Sequence, residues 1–326
     1  MLPNTATAPM ALSRPLAAKL ITVVTPCYNE EGNAREIYLA VREVFESLPQ
    51  YRYEHLFIDN ASTDATPSIL RALAAADPKV KVILNTKNFG PVRSPVHGLL
   101  QAHGNAVIGI AADFQDPPSL IPQFLEAWEQ GARIALGVKV EAEESGLMYG
   151  LRDAYYRMLA RIADIDIVHQ ATGFGLFDQK VISAMREIAD PYPFLRGVIA
   201  EIGYDIVRVP FRQPARRDGR SKISTYELFD VALQGFVNYS KVPLRMAIMF
   251  GFAIAGLSML AGTGYLIAKL IFWREFSLGV APIVIGFFFL SAVQLIFVGV
   301  VGEYVGAIYT QVKNRPLVFE RERINF

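Results

Sequence analysis

Cysteine appears once in this 326-residue chain, at Cys27, and histidine only four times. One cysteine excludes an internal disulfide framework and a cysteine-built zinc site, and four scattered histidines leave no histidine-rich metal centre. An excess of one charge is lacking as well. With 32 Lys and Arg against 31 Asp and Glu, the formal net charge is +1, and no global field draws nucleic acid as a partner. No Gly-rich GxGxxG turn follows the first apolar run, which excludes a dinucleotide-dependent dehydrogenase. Residues 1–19 hold no continuous apolar core and read as a flexible tail, not a signal peptide.

Uncharged length, by contrast, is abundant near the C-terminus. Residues 246–268 and 276–302 carry no charged side chain. Each run exceeds the ~20 residues that cross a bilayer core of ~30 Å. Lys269, Arg274 and Glu275 sit in the short connection, so the pair reads as a transmembrane hairpin with helices over 246–268 and 278–302. Basic residues crowd both outer flanks, among them Arg208, Lys241 and Arg245 before it and Lys313, Arg315 and Arg323 after it. That bias places both termini and the large N-terminal domain in the cytoplasm. Residues 224–244 carry Leu228, Phe229, Ala232, Leu233 and Phe236 at helical spacing. They predict a juxtamembrane amphipathic helix lying in the interface, or one packed on the soluble domain. Gly302, Gly306, Gly251 and Ala255 permit close helix packing, within the hairpin or between copies of a homo-oligomer. Residues 303–326 read as a cytoplasmic tail.

Residues 20–223 form the third part. Strand candidates at 21–25, 53–59, 80–84, 106–111 and 134–138 alternate with helical patterns near 33–47, 65–76, 92–103 and 118–130. This rhythm predicts an α/β domain with a mostly parallel sheet and helices on both faces. Leu147 to Ala163 reads as a helix, Ala171-Thr-Gly-Phe-Gly175 as a loop, 176–177 as a short strand and 204–210 as another. Each early strand ends in polar residues: Tyr28-Asn29-Glu30, Asp59-Asn60, Asn85 to Asn88, and Asp113. Parallel strands bring such ends to one edge, where open α/β sheets hold ligands. The run Ala111-Ala-Asp-Phe-Gln-Asp-Pro-Pro118 is the richest of them. Its hard oxygen ligands suit Mg2+ or Mn2+ bridging a diphosphate; a solvated turn before a Pro-started helix is the alternative.

Taken together, the motifs resemble the polyprenyl-phosphate type of family 2 glycosyltransferases, the group that includes dolichol-phosphate mannose synthase and the bactoprenol-phosphate glucosyltransferases. The residues that carry the resemblance are Thr25-Pro-Cys-Tyr-Asn-Glu-Glu31, Ile58-Asp-Asn-Ala-Ser-Thr-Asp64, Asn88-Phe-Gly90 and Ala112-Asp-Phe-Gln-Asp-Pro-Pro118. Gly219-Arg-Ser-Lys222, Val301-Gly-Glu-Tyr-Val-Gly306 and Arg315-Pro316 complete the set. The resemblance implies a GT-A fold, a UDP- or GDP-linked sugar donor, a divalent metal and a polyprenyl-phosphate acceptor at a bacterial inner membrane.

It also implies roles. Pro26, Tyr28 and Glu30 line the nucleoside pocket, unless Glu30 only caps the following helix. Asp59 and Asn60 meet the base or ribose. Asp113 and Gln115 hold the metal, which neutralises the leaving diphosphate. Arg220, Ser221 and Lys222 clamp phosphate, or form a basic loop attracted to anionic lipid. Arg93 adds a cation at the ligand edge. Lys241, Arg245 and Arg315 sit at headgroup level, where anchoring explains them as well as contact with a lipid phosphate does. The acceptor is a phosphate monoester with a second pKa near ~6, largely dianionic at neutral pH. Such a nucleophile needs positioning more than a general base. One in-line displacement at the anomeric carbon inverts configuration and yields a polyprenyl-phosphate sugar for cell-surface glycan assembly.

The chain departs from the family pattern at four places. Ala111 replaces the first acid of Asp-x-Asp, Asn60-Ala61 replaces Asp-Gly, Pro91 stands where a basic residue often follows Asn-Phe-Gly, and Gly175 stands where many relatives carry arginine. Either this is a subfamily with a different donor geometry, or the chain is a catalytically impaired nucleotide-binding protein acting as regulator or scaffold.

Overall fold

The computed structural model describes residues 18–140, 171–188, 190–191, 193–214, 242–272, 280–313 and 315–326. Leu20–Cys27 (β1), Arg52–Asp59 (β2), Val80–Asn85 (β3), Ala106–Gly109 (β4), Ile134–Lys139 (β5), Ala171–Asp178 (β6), Ile206–Phe211 (β7) and Glu320–Ile324 (β8) form one sheet. The order across it is β7-β5-β6-β4-β1-β2-β3-β8. The central strands β4, β1, β2 and β3 are parallel, as are β5 and β7, while β6 and β8 run antiparallel to their neighbours.

The central strands are apolar on both faces because helices cover both. Ala34–Glu46 (α1), Thr66–Ala76 (α2) and Ile121–Glu129 (α4) bury Ile37, Val41, Leu70 and Phe124 on one side with Ile21 and Val23. Gly90–Gln101 (α3), Gln179–Ile188 (α5) and Leu195–Ile202 (α6) bury Leu99, Ile182 and Ile199 on the other with Val24 and Ile58. Each such fully buried side chain contributes ~1.5–3 kcal/mol. Phe174 is the cross-tie of the first layer, meeting Phe124 edge-on at 4.9 Å and Phe211 at 5.6 Å.

Three expectations are corrected. The loop at 171–175 is the first half of β6, paired with β4 on one side and β5 on the other. The helix at 118–130 is a 3-10 turn, Pro118–Leu120, followed by α4. Residues 303–326 are not a plain tail. Val280–Lys313 (α8) continues unbroken past Gly302, and β8 then returns to the sheet edge. Alternating charge in Glu320-Arg-Glu-Arg-Ile324 gives no apolar face, but an edge strand needs none. Side chains fasten it: Arg71 Nη2 lies 2.7 Å from Glu322 Oε2, and His97 Nε2 lies 2.6 Å from Glu320 Oε1. Asn325 Nδ2 donates to the carbonyls of Ala74 and Val80.

Val242–Ile271 (α7) and α8 form the candidate transmembrane hairpin, with apolar spans at Leu244–Tyr265 and Phe289–Lys313. The second helix covers the expected 278–302 from Val280 onward and runs on past it to Lys313. Phe252 and Val312 are 75% and 78% exposed, and large apolar side chains such as Leu257, Leu260, Leu295 and Ile296 are exposed along both helices. A Cβ at Gly302 or Gly306 would meet nothing within 4 Å, so the hairpin does not use these glycines for close packing among the described residues. Of the expected interfacial helix 224–244, residues 242–244 open α7 and the rest lie outside the described residues, as do residues 1–17 and the expected helix 147–163.

Candidate active site

The C-terminal ends of β1 to β4 converge at one edge, and the turns leaving them are bonded to one another. The Asn29 N–H donates to Ser62 Oγ at 2.8 Å, and the Glu30 N–H to Thr66 Oγ1 at 2.8 Å. In return, the Thr63 N–H donates to Asn29 Oδ1 and the Ala65 N–H to Glu31 Oε2. The β1 and β2 turns therefore act as one rigid unit. Asp59 lies beneath it, 2% exposed, its carboxylate accepting from the Ser62 hydroxyl and, at 3.1 Å, from the Ser62 N–H. Burial pushes its carboxyl above the ordinary value, against the pull of the Ser62 bonds.

Asn60 ties this unit to the next strand. Its Nδ2 donates to Asn88 Oδ1 at 2.8 Å and to the Gly90 carbonyl at 3.1 Å. Its Oδ1 accepts from Asn85 Nδ2 and the Phe89 N–H. Both amide protons and both lone pairs are thus engaged. Asn60 was expected to contact the nucleotide; its side chain instead holds the β3–α3 turn in place, having no bonding capacity left.

The turn after β4 carries the acids. Asp113 is 8% exposed, with Oδ1 accepting from the Gln115 N–H at 3.2 Å. Asp116 is 6% exposed, and its Oδ2 accepts from the Ala111 N–H at 3.1 Å. Burial pushes the Asp116 carboxyl up to about 6; Asp113 beside it adds to the rise, while the Ala111 N–H and Lys139 oppose it. Backbone strain marks the same edge. Asn29, Ala61 and Phe114 hold φ of 54°, 59° and 60°, in a left-handed region that costs non-glycine residues ~1–3 kcal/mol.

Beside the Asp113 turn, a cleft of about 410 Å³ opens between the N-terminal ends of α3 and α6. Pro26, Ala111 and Asp116 line its inner side, and Arg196 is the one cation among its described lining residues. Gly175 lies close by within β6, paired with Gly109 and Leu136. A side chain there has no room: its Cβ would sit 2.3 Å from the Ala135 carbonyl oxygen and 2.8 Å from Leu136 Cδ2.

Pro26, Tyr28, Glu30, Asp59, Asp113 and Gln115 therefore share one edge. Glu30 Oε2 accepts from Asn33 Nδ2 at 2.8 Å, so part of its carboxylate serves the start of α1. Arg93 turns elsewhere: its Nη2 donates to the Pro316 carbonyl at 2.7 Å, and its guanidinium lies over the Phe89 ring. It was expected at the ligand edge; these contacts instead join α3 to the chain leaving the hairpin. Arg245 and Arg315 are exposed at the hairpin's ends. Arg220, Ser221, Lys222 and Lys241 lie outside the described residues. Among the described residues no three His, Cys, Asp or Glu side chains cluster as a metal cage. Sequence reasoning missed Arg196, which lies in a stretch without clear periodicity, and left Asp116 ambiguous between a supporting and a helix-opening role.

Comparison with known proteins agrees with this architecture. The family model described as glycosyl transferase family 2 matches residues 22–186. An SfII prophage-derived bactoprenol glucosyl transferase of Shigella flexneri is 35% identical over 297 residues, covering 91% of this chain and 96% of that protein. A prophage bactoprenol glucosyl transferase homolog of Escherichia coli strain K12 is 32% identical with the same coverage. A solved mannosyltransferase from Pyrobaculum calidifontis, in complex with GDP-Man and Mn2+, is 17% identical, covers 90% of this chain and 86% of that one, and superposes with a TM-score of 0.46. A doubly covered sheet with its polar turns at one edge, a family match across half the chain and a third identity along nine-tenths of it make this chain a member of glycosyl transferase family 2, and a glycosyltransferase.

Proposed function

We propose that the protein moves a sugar from a UDP- or GDP-linked donor to a polyprenyl phosphate, with inversion, for cell-surface glycan assembly or modification. The catalytic domain works at the cytoplasmic face of a bacterial plasma membrane, where the hairpin anchors it. The observation that carries this reading is the nearly end-to-end similarity to bactoprenol glucosyl transferases, which takes in the hairpin as well as the sheet.

Tyr28 and Glu30 hold the nucleoside against the bonded β1–β2 unit, and Asp59 anchors its base or ribose from below. Asn60 acts at one remove, fixing the β3–α3 turn. Asp113 and Gln115 offer one carboxylate and one amide oxygen at the edge, a set that fits an ion whose coordination is completed by substrate phosphates, as is usual for Mg2+. Mg2+ or Mn2+ bound there would supply charge neutralisation for the departing nucleoside diphosphate. Arg220, Ser221 and Lys222 supply the phosphate clamp, for the donor or for the lipid. The lipid phosphate, already anionic, attacks the anomeric carbon in line, so that no side chain need remove a proton. Lys241, Arg245 and Arg315 meet the headgroup layer.

The test is a panel. Purified full-length protein in detergent receives undecaprenyl phosphate, Mg2+ or Mn2+, and one radiolabelled nucleotide sugar at a time. Label entering the organic phase from one donor supports the reading and names the sugar. Absence of lipid-borne label from every donor, with nucleotide still bound, overturns it in favour of a nucleotide-binding regulator.

A further inference from the structure

The acceptor proposed above carries a phosphate, and holding it beside the donor edge calls for a cation. The cleft between α3 and α6 offers one, Arg196, on the first turn of α6. Its walls are of a particular kind. Val92 and Pro95 from α3 face Pro193 and Leu195 from the approach to α6. Prolines have no N–H, and the aliphatic side chains offer no polar group, so these walls give the hydroxyls of a sugar no side-chain partner. It suits hydrocarbon. The volume, about 410 Å³, falls within the ~300–1,000 Å³ usual for small-molecule sites.

We propose that this cleft receives the phosphate-bearing end of the polyprenyl phosphate, with Arg196 pairing with the phosphate and the proline-rich walls covering the adjoining isoprene units. The inference rests on the acceptor assigned under the proposed function. Position supports it. The cleft shares Ala111 and Asp116 with the turn that carries Asp113, and Pro26 with the turn that carries Tyr28 and Glu30. An acceptor phosphate seated there adjoins the donor edge, as in-line attack requires. Asp116, on the inner side of the cleft, has Oδ2 committed to the Ala111 N–H. The arginine fork matches phosphate geometry, so a lysine at 196 would keep the charge but lose the paired bonds.

Full-length protein in detergent decides the matter, with farnesyl or undecaprenyl phosphate titrated at saturating donor and donor titrated at saturating lipid. Arg196→Ala is expected to raise KM for the lipid phosphate about tenfold or more, the usual scale for one charge-assisted bond. KM for the donor should stay within about twofold, and Arg196→Lys should recover part of the loss. Val92→Trp, which fills the wall without touching the charge, should raise the lipid KM as well. Retained nucleotide affinity serves as the folding check, and Val92→Trp and Arg196→Lys decide if Arg196→Ala does not fold. Lipid KM values within about twofold of wild type in these variants, or a change in donor KM alone, would overturn the assignment. A wild-type protein that labels no polyprenyl phosphate would instead refute the functional reading beneath it.

Discussion

Gly175 gives the sharpest perturbation. The family pattern that the sequence resembles has an arginine there, which implies that adding one would raise transfer. Judged by the structure, the position has no space. A Cβ would lie 2.3 Å from the Ala135 oxygen and 3.0 Å from Leu136 Cα, and neither is the end of a flexible side chain. Both atoms belong to β5, which is bonded to β6 on one side and β7 on the other, so moving them disturbs two ladders. Overpacking usually costs ~1–3 kcal/mol, and a clash with backbone belongs at the upper end. At ~3 kcal/mol, Gly175→Ala would use up a large part of the ~5–15 kcal/mol that holds a domain folded. The apparent unfolding midpoint should then fall by ~6–12 °C, at ~2–4 °C per kcal/mol for a domain of this size. Gly175→Arg should be worse and gain no activity. The assay is thermal unfolding of the detergent-solubilised protein, followed by intrinsic fluorescence at one fixed scan rate. A Gly175→Ala protein as stable as wild type, or a Gly175→Arg protein with raised transfer, would refute the reasoning.

Other perturbations probe separate parts of the structure. Phe174→Ala removes the ring joining α4, β6 and β7, and should cost ~3–5 kcal/mol in chemical denaturation; a loss under ~1 kcal/mol would contradict the packing. Burial raises the Asp59 carboxyl above the unfolded value of 3.8, so its charged form costs stability at neutral pH. Asp59→Asn should therefore stabilise the domain near pH 7, with the gain shrinking as the pH falls towards 3.8, while nucleotide affinity drops; tighter nucleotide binding would count against its role. At the β8 anchor, burial works against the Glu320 charge, but Arg323 and His97 outweigh it and hold the carboxyl below 4.5. Burial also lowers His97 from 6.5, so at neutral pH it is a neutral donor to Glu320 and not half of an ion pair. A depressed acid loses its contribution as the pH falls through its folded value, and a depressed histidine costs stability once the pH drops below 6.5. Both act in the same direction. Amide-exchange protection over Glu320–Ile324, corrected for intrinsic rates, should weaken from about pH 6.5 downward, and constant protection to pH 4.5 would count against the anchor.

The parallel half of the sheet was legible because its strands are apolar runs closed by polar turns. Residues 53–59 and 80–84 needed no tertiary knowledge, and burial on both faces explains why they do not alternate. Two strands escaped for opposite reasons. Ala171-Thr-Gly-Phe-Gly175 reads as a turn by its glycines, but β6 uses them because neighbouring backbone comes close, most of all at Gly175. Glu320-Arg-Glu-Arg-Ile324 carries no apolar signal, and its place is fixed by partners such as Arg71 and His97, more than 200 residues away. The converging edge was equally legible, since strand ends in a parallel sheet share a side. What could not be read was the division of labour within it. Asn60 and Asp59 are neighbours, yet one amide is saturated by Asn85, Asn88, Phe89 and Gly90, while the adjacent carboxylate lies beneath the β1–β2 turns. Arg93 was equally opaque, because its partner Pro316 follows the second hairpin helix.

The central claim is that Asp113 anchors metal-assisted transfer of sugar to a polyprenyl phosphate. Its most direct test counts label transferred from the preferred nucleotide sugar into undecaprenyl phosphate by wild type, by Asp113→Asn and by wild type with chelator. The account predicts lipid-borne label with wild type, and a fall to background both in Asp113→Asn, with its unfolding midpoint preserved, and on chelation, restored by added Mg2+ or Mn2+. Transfer that survives Asp113→Asn at the wild-type rate would contradict it and move the chemistry away from the β4 turn.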